Sequence, residues 1–242
     1  MAGHSRWTQI KHKKSISDAK KGQLFSKLIR EISVAAREAG ANPTVNPRLR
    51  SAMERARSAG LPKDNIERAI ERASGKGEGG EFTEFLYEAA APGGIAILIE
   101  GITDNKNRTL AEIKRLLSER GGRLAEPGSL TWNFEKIGLL ECRAGDNPGK
   151  TREETELAII ESGASDFRTI DDVWLVETAF ADGEQVRRGL ESRGIAVKEL
   201  TRDYKPQTSI AIGPAERAAI EALLDELTDH PDVQEVYTNL KE

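Results

Sequence analysis

"TSIAIGPAERAAIEALLDELTDHPDVQEVYTNL", residues 208–240, is the stretch on which the organisation of this chain turns. It reads as strand "TSIAIG", helix "PAERAAIEALLDELTDH" and strand "DVQEVYTNL". Directly upstream, residues 137–204 form a complete set of their own: strand "IGLLECR", helix "TREETELAIIESGA", strands "DFRTI" and "DVWLVETA", helix "DGEQVRRGLESRG" and strand "IAVKEL". That βαββαβ order is the ferredoxin-like arrangement. Further upstream, "FTEFLYEAA" and "GIAILIEGI" read as strands joined around Pro92, Gly93 and Gly94; "RTLAEIKRLLSERGG" reads as a helix ended by Gly121, and "SLTWNFEK" as another strand. Two consecutive domains cut near residue 137 would leave residues 208–240 as an unpaired tail. If that tail instead completes the upstream sheet, the ferredoxin-like unit is an insertion, which is tolerated because an inserted unit's ends can lie close together. The predicted middle domain is therefore discontinuous, 81–136 plus 205–242, with 137–204 inserted.

The first 76 residues differ in kind. They hold 17 Lys or Arg against 7 Asp or Glu, a balance of +10, whereas residues 77–242 hold 19 against 33, a balance of −14. The net charge of −4 conceals this division. A basic segment beside an acidic remainder marks the part that meets a polyanion; the plainer alternative is a solvated helical surface with Lys and Arg chosen for helix propensity. The periodicity predicts three helices in 1–76. In the first, Leu24, Leu28 and Ile32 with Phe25, Ile29 and Ala36 form the core face, and Lys27, Arg30 and Arg37 the opposite one. The second has Asn46 as cap, Pro47 at its first position and Gly60 as stop; the third opens at Pro62 and buries Ile66, Ala69, Ile70 and Ala73. The strip before Lys20 has no period and reads as an arm that orders on its target. "GKGEGG", residues 75–80, follows a helix rather than a strand and carries Glu78, so it reads as a linker rather than a phosphate cradle.

Composition bounds the rest. With 242 residues, 38% apolar and 31% charged, the chain reads as soluble and globular. No run approaches the ~18 apolar residues of a membrane span, and the lysines of the arm interrupt any apolar signal core, so a cytoplasmic home is expected. A mitochondrial transit segment fits the basic start less well, because the start runs straight into the first helix. The single Cys142 excludes an internal disulfide, and with only His4, His12 and His230 beside it no zinc spacing is assembled. No nucleophile and base, no paired carboxylates and no metal set show a recognisable spacing, so no catalytic residue, cofactor or metal is expected. Asp171 and Asp172 read as turn residues, Cys142 as a small buried hydrophobe.

"TDNKNRT", residues 103–109, is the one concentrated polar loop of the acidic part. Two readings stand: Asp104 or Asn107 caps the next helix, or Asp104, Asn105, Lys106, Asn107 and Arg108 form an anion-binding loop on free helix amides. The ferredoxin-like sheet is not expected to stack RNA, since Trp132, Trp174, Phe134 and Phe167 lie in an acidic background; that background suits a basic protein partner instead.

"GHSRWTQIKHKK", "DAKKGQLFSKLIREI", "NPRLRSAMERAR" and "PGGIAILIEGITDNKNRTLAEIKRLLSERGG" together resemble the YebC family of bacteria, whose mitochondrial members are translational activators of cytochrome c oxidase. The resemblance runs over essentially the whole chain. It departs at "YEAAAPGG", where a further glycine and an aromatic are expected before "PGG". It implies a basic helical domain, 1–76, followed by a middle α/β domain carrying an inserted third, an α+β fold in agreement with the reading above. It also implies work on nucleic acid: members are labelled transcriptional regulators, and others act at the ribosome during synthesis of consecutive prolines. The residues expected to contact nucleic acid are His4, Arg6, Trp7, Lys11, His12, Lys13, Lys14, Lys20, Lys21, Lys27, Arg30, Arg48 and Arg50. Ribosomal RNA is the favoured partner, because an aromatic among cations suits folded RNA. Duplex DNA is the alternative, with Arg48 and Arg50 near a helix start as base readers. A protein-binding adaptor is the third reading.

Overall fold

The computed structural model describes residues 18–73, 82–143 and 149–241. "GKGEGG" and the arm residues His4, Arg6, Trp7, Lys11, His12, Lys13 and Lys14 lie outside the described residues. In chain order the elements are α1 (Asp18–Ala39), α2 (Pro47–Ser58), α3 (Lys63–Glu71), β1 (Thr83–Ala91), β2 (Ile95–Thr103), α4 (Lys106–Glu119), β3 (Arg123–Leu124), β4 (Phe134–Arg143), α5 (Arg152–Glu161), β5 (Asp166–Ile170), β6 (Val173–Ala179), α6 (Gly183–Ser192), β7 (Val197–Pro206), α7 (Pro214–Asp229) and β8 (Val233–Thr238). The strands form two four-stranded antiparallel sheets, β3-β1-β2-β8 and β5-β6-β4-β7, so the fold is α+β. No helix among the described residues is long and apolar enough to cross a membrane.

Three separate apolar cores organise these elements. Leu28, Ile32, Ala35 and Ala36 of α1 meet Leu49, Ala52 and Ala56 of α2 and Ile66 and Ala69 of α3; short helices of this kind are stable only through one another's faces. Asn46 joins two of them: its Oδ1 accepts the Leu49 N–H at 3.0 Å, and its Nδ2 donates to the carbonyls of Ala35 and Gly40, both at 2.8 Å. One buried side chain thus caps α2 and closes α1. In the first sheet, Phe85, Ala89, Ile95, Ile97 and Ile99 pack against Ile113 and Leu117 of α4 and Leu223 and Leu227 of α7. In the second, Leu140, Cys142, Trp174 and Val176 pack against Ile159 of α5 and Val186 and Leu190 of α6.

The second sheet has the ferredoxin-like pairing, with its first and third strands, β4 and β6, at the centre. Phe134–Pro206 is one compact unit; the described residues on either side, 18–133 and 207–241, make another. Chain ends at the join are close, as an insertion requires: the Gln207 N–H donates to the Asn133 carbonyl at 2.7 Å, and Phe134 pairs with Pro206.

Three expectations about elements are corrected. "SLTWNFEK" is not a strand of the first sheet; Thr131–Asn133 make a 3₁₀ turn, and Phe134 begins β4, which runs on through "IGLLECR". "IAVKEL" extends well past Leu200, because β7 pairs with β4 along its length as far as Pro206. "TSIAIG" forms only an isolated parallel bridge, Ile210 with Leu240. Its apolar alternation is satisfied by packing: Ile210 and Ile212 lie on the first core and against Gly94 and Gly93, which a Cβ at Gly93 would bring within 2.9 Å of Ile212. β8 alone returns to the sheet, beside β2.

Cys142 lies wholly inside the β4 core, and burial, with Glu141 and Glu191 nearby, pushes its thiol up to about 12. A thiol so protonated does not supply the reactive thiolate. The native protein is expected not to react with an aromatic disulfide reagent at mildly alkaline pH, and the unfolded chain to react with one equivalent; rapid labelling of the native protein contradicts this placement.

Candidate nucleic-acid interface

The basic helices spend much of their charge internally. Lys27 donates to the Thr228 carbonyl at 2.6 Å, and burial pulls its pKa down despite Glu235 and Asp229 nearby. Arg30 donates to the Pro231 carbonyl and sits 2.7 Å from Asp232; Arg37 donates to the Phe82 carbonyl. The face of α1 opposite its core is therefore not a separate ligand face: Lys27, Arg30 and Arg37 tie α1 to the first sheet and α7. Arg48 is held by Glu38 and Glu84, whose pull outweighs burial and raises its pKa. It is not presented as a base reader.

Other cations stay outward. Lys20 lies 3.5 Å from Asp229 with both side chains mostly exposed, a weak pair, and Lys21 stands over the Phe25 ring at 5.6 Å. Arg50 reaches the Pro43 carbonyl at 3.4 Å and lines an open groove of about 350 Å³ with Pro43, Thr44, Met53, Glu54 and Arg57. Arg50 and Arg57 are seven residues apart on α2, hence on one face. Arg57 is exposed, and Val45, beside the groove in sequence, is 72% exposed. Sequence reasoning missed Arg57, although its spacing from Arg50 was the signal.

The "TDNKNRT" loop is built as a cap. Neither Asp104 nor Asn107 starts α4; Asn105 does, its Oδ1 accepting the Arg108 N–H at 3.1 Å. The Asn105 N–H donates to Thr103 Oγ1 at 2.9 Å, and Thr109 Oγ1 donates to Asp232 at 2.6 Å. Arg108 contacts Asp104 at 2.9 Å and Asp232 at 2.7 Å. Two carboxylates thus take up the Arg108 guanidinium, while Lys106 and Asn107 are exposed on the first turn. Burial alone pushes the Asp232 carboxyl upward, but the Thr109 and Arg108 hydrogen bonds and the Arg30 and Arg108 charges outweigh it and hold it below its ordinary value.

Glu112, His230 and Asp232 bring one ligand-type atom each within 4.8 Å of one another. Hydrogen bonding already accounts for the imidazole. Nδ1 accepts the Asp232 N–H at 3.2 Å, which leaves the proton on Nε2, directed at Glu112 3.0 Å away. Neither ring nitrogen keeps a lone pair for a metal.

Within the ferredoxin-like unit, acidic groups are inward as well as outward. Glu141 and Glu177 are almost fully buried and meet Lys198 at 2.5 Å and Lys205 at 2.6 Å. These two carboxylates are satisfied within the fold. Trp174 and Phe167 are core-side rings with centroids 5.7 Å apart. Trp132 is different: it is on no sheet, and the residue is 68% exposed.

Comparison with known proteins places this architecture. Residues 5–76 match the model of the TACO1/YebC protein N-terminal domain, and residues 82–240 that of the TACO1/YebC second and third domain. Similar proteins include one from Kosmotoga olearia, 43% identical over all of this chain and 94% of its own length, and one from Thermotoga maritima, 44% identical with the same coverage. Both are named "Probable transcriptional regulatory protein". A crystal structure of a conserved hypothetical protein from Aquifex aeolicus is 39% identical, covers 98% of this chain and 97% of its own, and superposes with a TM-score of 0.88.

Proposed function

The chain belongs to the TACO1/YebC family, and from that premise we propose that it is a non-enzymatic, nucleic-acid-binding regulator of gene expression that acts on the ribosome by binding ribosomal RNA. The observation that carries this is the surplus of ten positive charges in residues 1–76 against the acidic remainder. Cations against phosphates release counterions, which supplies salt-dependent affinity without sequence readout. The proposed interface combines His4, Arg6, Trp7, Lys11, His12, Lys13 and Lys14 with Lys20, Lys21 and Arg50, and adds Arg57. In this reading domains 81–136 with 205–242, and 137–204, orient a factor held by 1–76, and any help to peptide-bond formation on proline-rich stretches comes from positioning, with no covalent role. A cytoplasmic site of action follows from the same reading.

DNA-binding transcriptional regulation is the second reading, favoured by the relatives' names. Against it, the carboxylates of Glu38 and Glu84 hold the arginine nearest the start of α2. Co-sedimentation with ribosomes across a salt series, with random duplex DNA as competitor, separates the two. Ribosome binding is expected to survive excess DNA. Replacing Lys11, Lys13 and Lys14 with Ala is expected to reduce the salt slope by about 2–3 units. Binding abolished by DNA at equal phosphate concentration returns the lead to transcription.

A further inference from the structure

Arg50, Met53, Glu54 and Arg57 line the open groove on α2, and their spacing of three and four puts them on a single stripe of the helix. Pro43 and Thr44, from the loop before α2, complete the lining. That loop is fixed by its own backbone. The Asn42 carbonyl accepts the Val45 N–H at 3.2 Å and the Asn46 N–H at 3.0 Å, and Asn42 Oδ1 accepts the Thr44 N–H at 3.0 Å. Binding therefore need not order it, which removes one cost of association.

The charges in the groove are not spent on one another. Arg50 lies four residues before Glu54 and Arg57 three after, spacings at which opposite charges on a helix ordinarily pair. Among the described residues no ion pair joins Glu54 to either arginine. Arg50 reaches instead to the Pro43 carbonyl at 3.4 Å, and Arg57 is exposed. Two guanidinium groups and a half-buried carboxylate thus remain available to a ligand. Met53 and Pro43, both half-buried, supply apolar surface, and a thioether packs well on an aromatic ring. The volume of about 350 Å³ is near the lower end of the about 300–1,000 Å³ typical of small-ligand sites, room for one base rather than a duplex.

The groove belongs to the segment with ten surplus positive charges, and its arginines suit phosphates. Glu54 repels them, so it must meet a part of the ligand that donates hydrogens, because a carboxylate only accepts. Guanine is the base with two adjacent donors, N1–H and the 2-amino group, on its Watson–Crick edge, and these match two carboxylate oxygens. Adenine and cytosine set a donor beside an acceptor there, and uracil sets one donor between two acceptors. In a duplex the guanine edge is taken by cytosine; the loops and ends of folded RNA leave it open.

We infer that the α2 groove takes an unpaired guanine nucleotide of RNA, with Glu54 reading the base edge, Met53 and Pro43 packing on the base, and Arg50 and Arg57 holding the flanking phosphates. The inference deepens the proposed RNA-binding function and rests on it.

The test is fluorescence anisotropy of the full chain with a short labelled oligouridylate RNA carrying a central guanine, adenine or uridine, and with the guanine strand annealed to its complement. The guanine strand is expected to bind about tenfold tighter than the other two, the discrimination of a bidentate contact, and annealing is expected to remove that preference. Glu54→Gln is expected to erase the preference while the uridine strand binds as well as before or better, since a charge that repels phosphate has gone. Arg57→Ala is expected to lower the salt slope by about 0.7, one phosphate on a single strand, and to keep the preference. Equal affinity for guanine and adenine, a preference that survives annealing, or a Glu54→Gln effect of the same factor on every strand overturns the guanine site and leaves the proposed function standing. Ribosome binding by a parent protein that binds none of the strands does the same. A parent protein that binds neither RNA nor ribosomes removes the proposed function, and the guanine site with it.

Discussion

Asp232→Ala is expected to lower folding stability by about 3–5 kcal/mol, the range for removing one partner from a buried charge pair. Asp232 is 1% exposed and gathers Arg30 and Arg108, each at 2.7 Å, with Thr109 at 2.6 Å and Thr103 at 3.2 Å. Through it α1, the start of α4 and the approach to β8 are fastened at one point. Removing the carboxylate leaves two guanidinium groups without their shared counter-charge and the Thr103 hydroxyl without its acceptor, while Thr109 keeps the Asn105 carbonyl at 3.1 Å. Urea unfolding followed by circular dichroism measures the loss, and a loss below about 1 kcal/mol would show that Arg30 and Arg108 find other partners as good. The pH dependence has a definite sign. The folded carboxyl titrates below its unfolded value, so its contribution is complete above the ordinary carboxylate range near about 4 and disappears as pH falls through the lower, folded value. Asp232→Asn is expected to flatten that part of the acid limb.

Gly101→Ala is expected to cost about 3 kcal/mol, at the upper end of overpacking penalties. An added Cβ would meet the Asp232 carbonyl at 2.2 Å and the Phe85 ring at 2.3 Å. Neither gives way cheaply. The Asp232 carbonyl accepts the Ile102 N–H at 2.8 Å, where the β2–β8 register shifts between Glu100 and Gly101. Phe85 is buried and stacks on Tyr87 with centroids 4.5 Å apart. Relieving the clash must therefore break the edge of a sheet or move a core ring. Because Gly101 packs against the Asp232 backbone, Gly101→Ala combined with Asp232→Ala is expected to depart from the sum of the two by about 0.5 kcal/mol or more. Strict additivity in a double-mutant cycle would show the two sites to be independent.

What was legible before the structure follows from local rules. The Asn46 cap, Pro47, the Gly60 stop and the spacing of Leu28, Ile32 and Ala36 are short-range signals, and each appears where its physics puts it. Element order alone gave the ferredoxin-like insertion, because strands and helices in that sequence have few ways to pair. "TSIAIG" and "SLTWNFEK" misled for one shared reason: alternation records which side chains are apolar, not whether the backbone finds a ladder. The first satisfies its isoleucines over Gly93 and Gly94, and the second divides between a turn and a strand of the other sheet.

The site was less legible than the fold. The charge surplus of residues 1–76 is a property of the sequence and needs no coordinates. Which cations remain outward is not. Arg30 and Asp232, like Arg48 and Glu84, are brought together only by packing, and sequence periodicity cannot distinguish a solvated cation from one whose carboxylate arrives from a distant element. The exposure of Trp132 is of the same kind, set by a loop that closes on Glu88 more than forty residues away in places. Sequence by itself therefore determined most of the elements, their order and the basic balance of residues 1–76, because these rest on neighbours along the chain. The tertiary structure decided which charges are spent on the fold and which aromatic is left outside, because those depend on groups the chain brings together only when it folds.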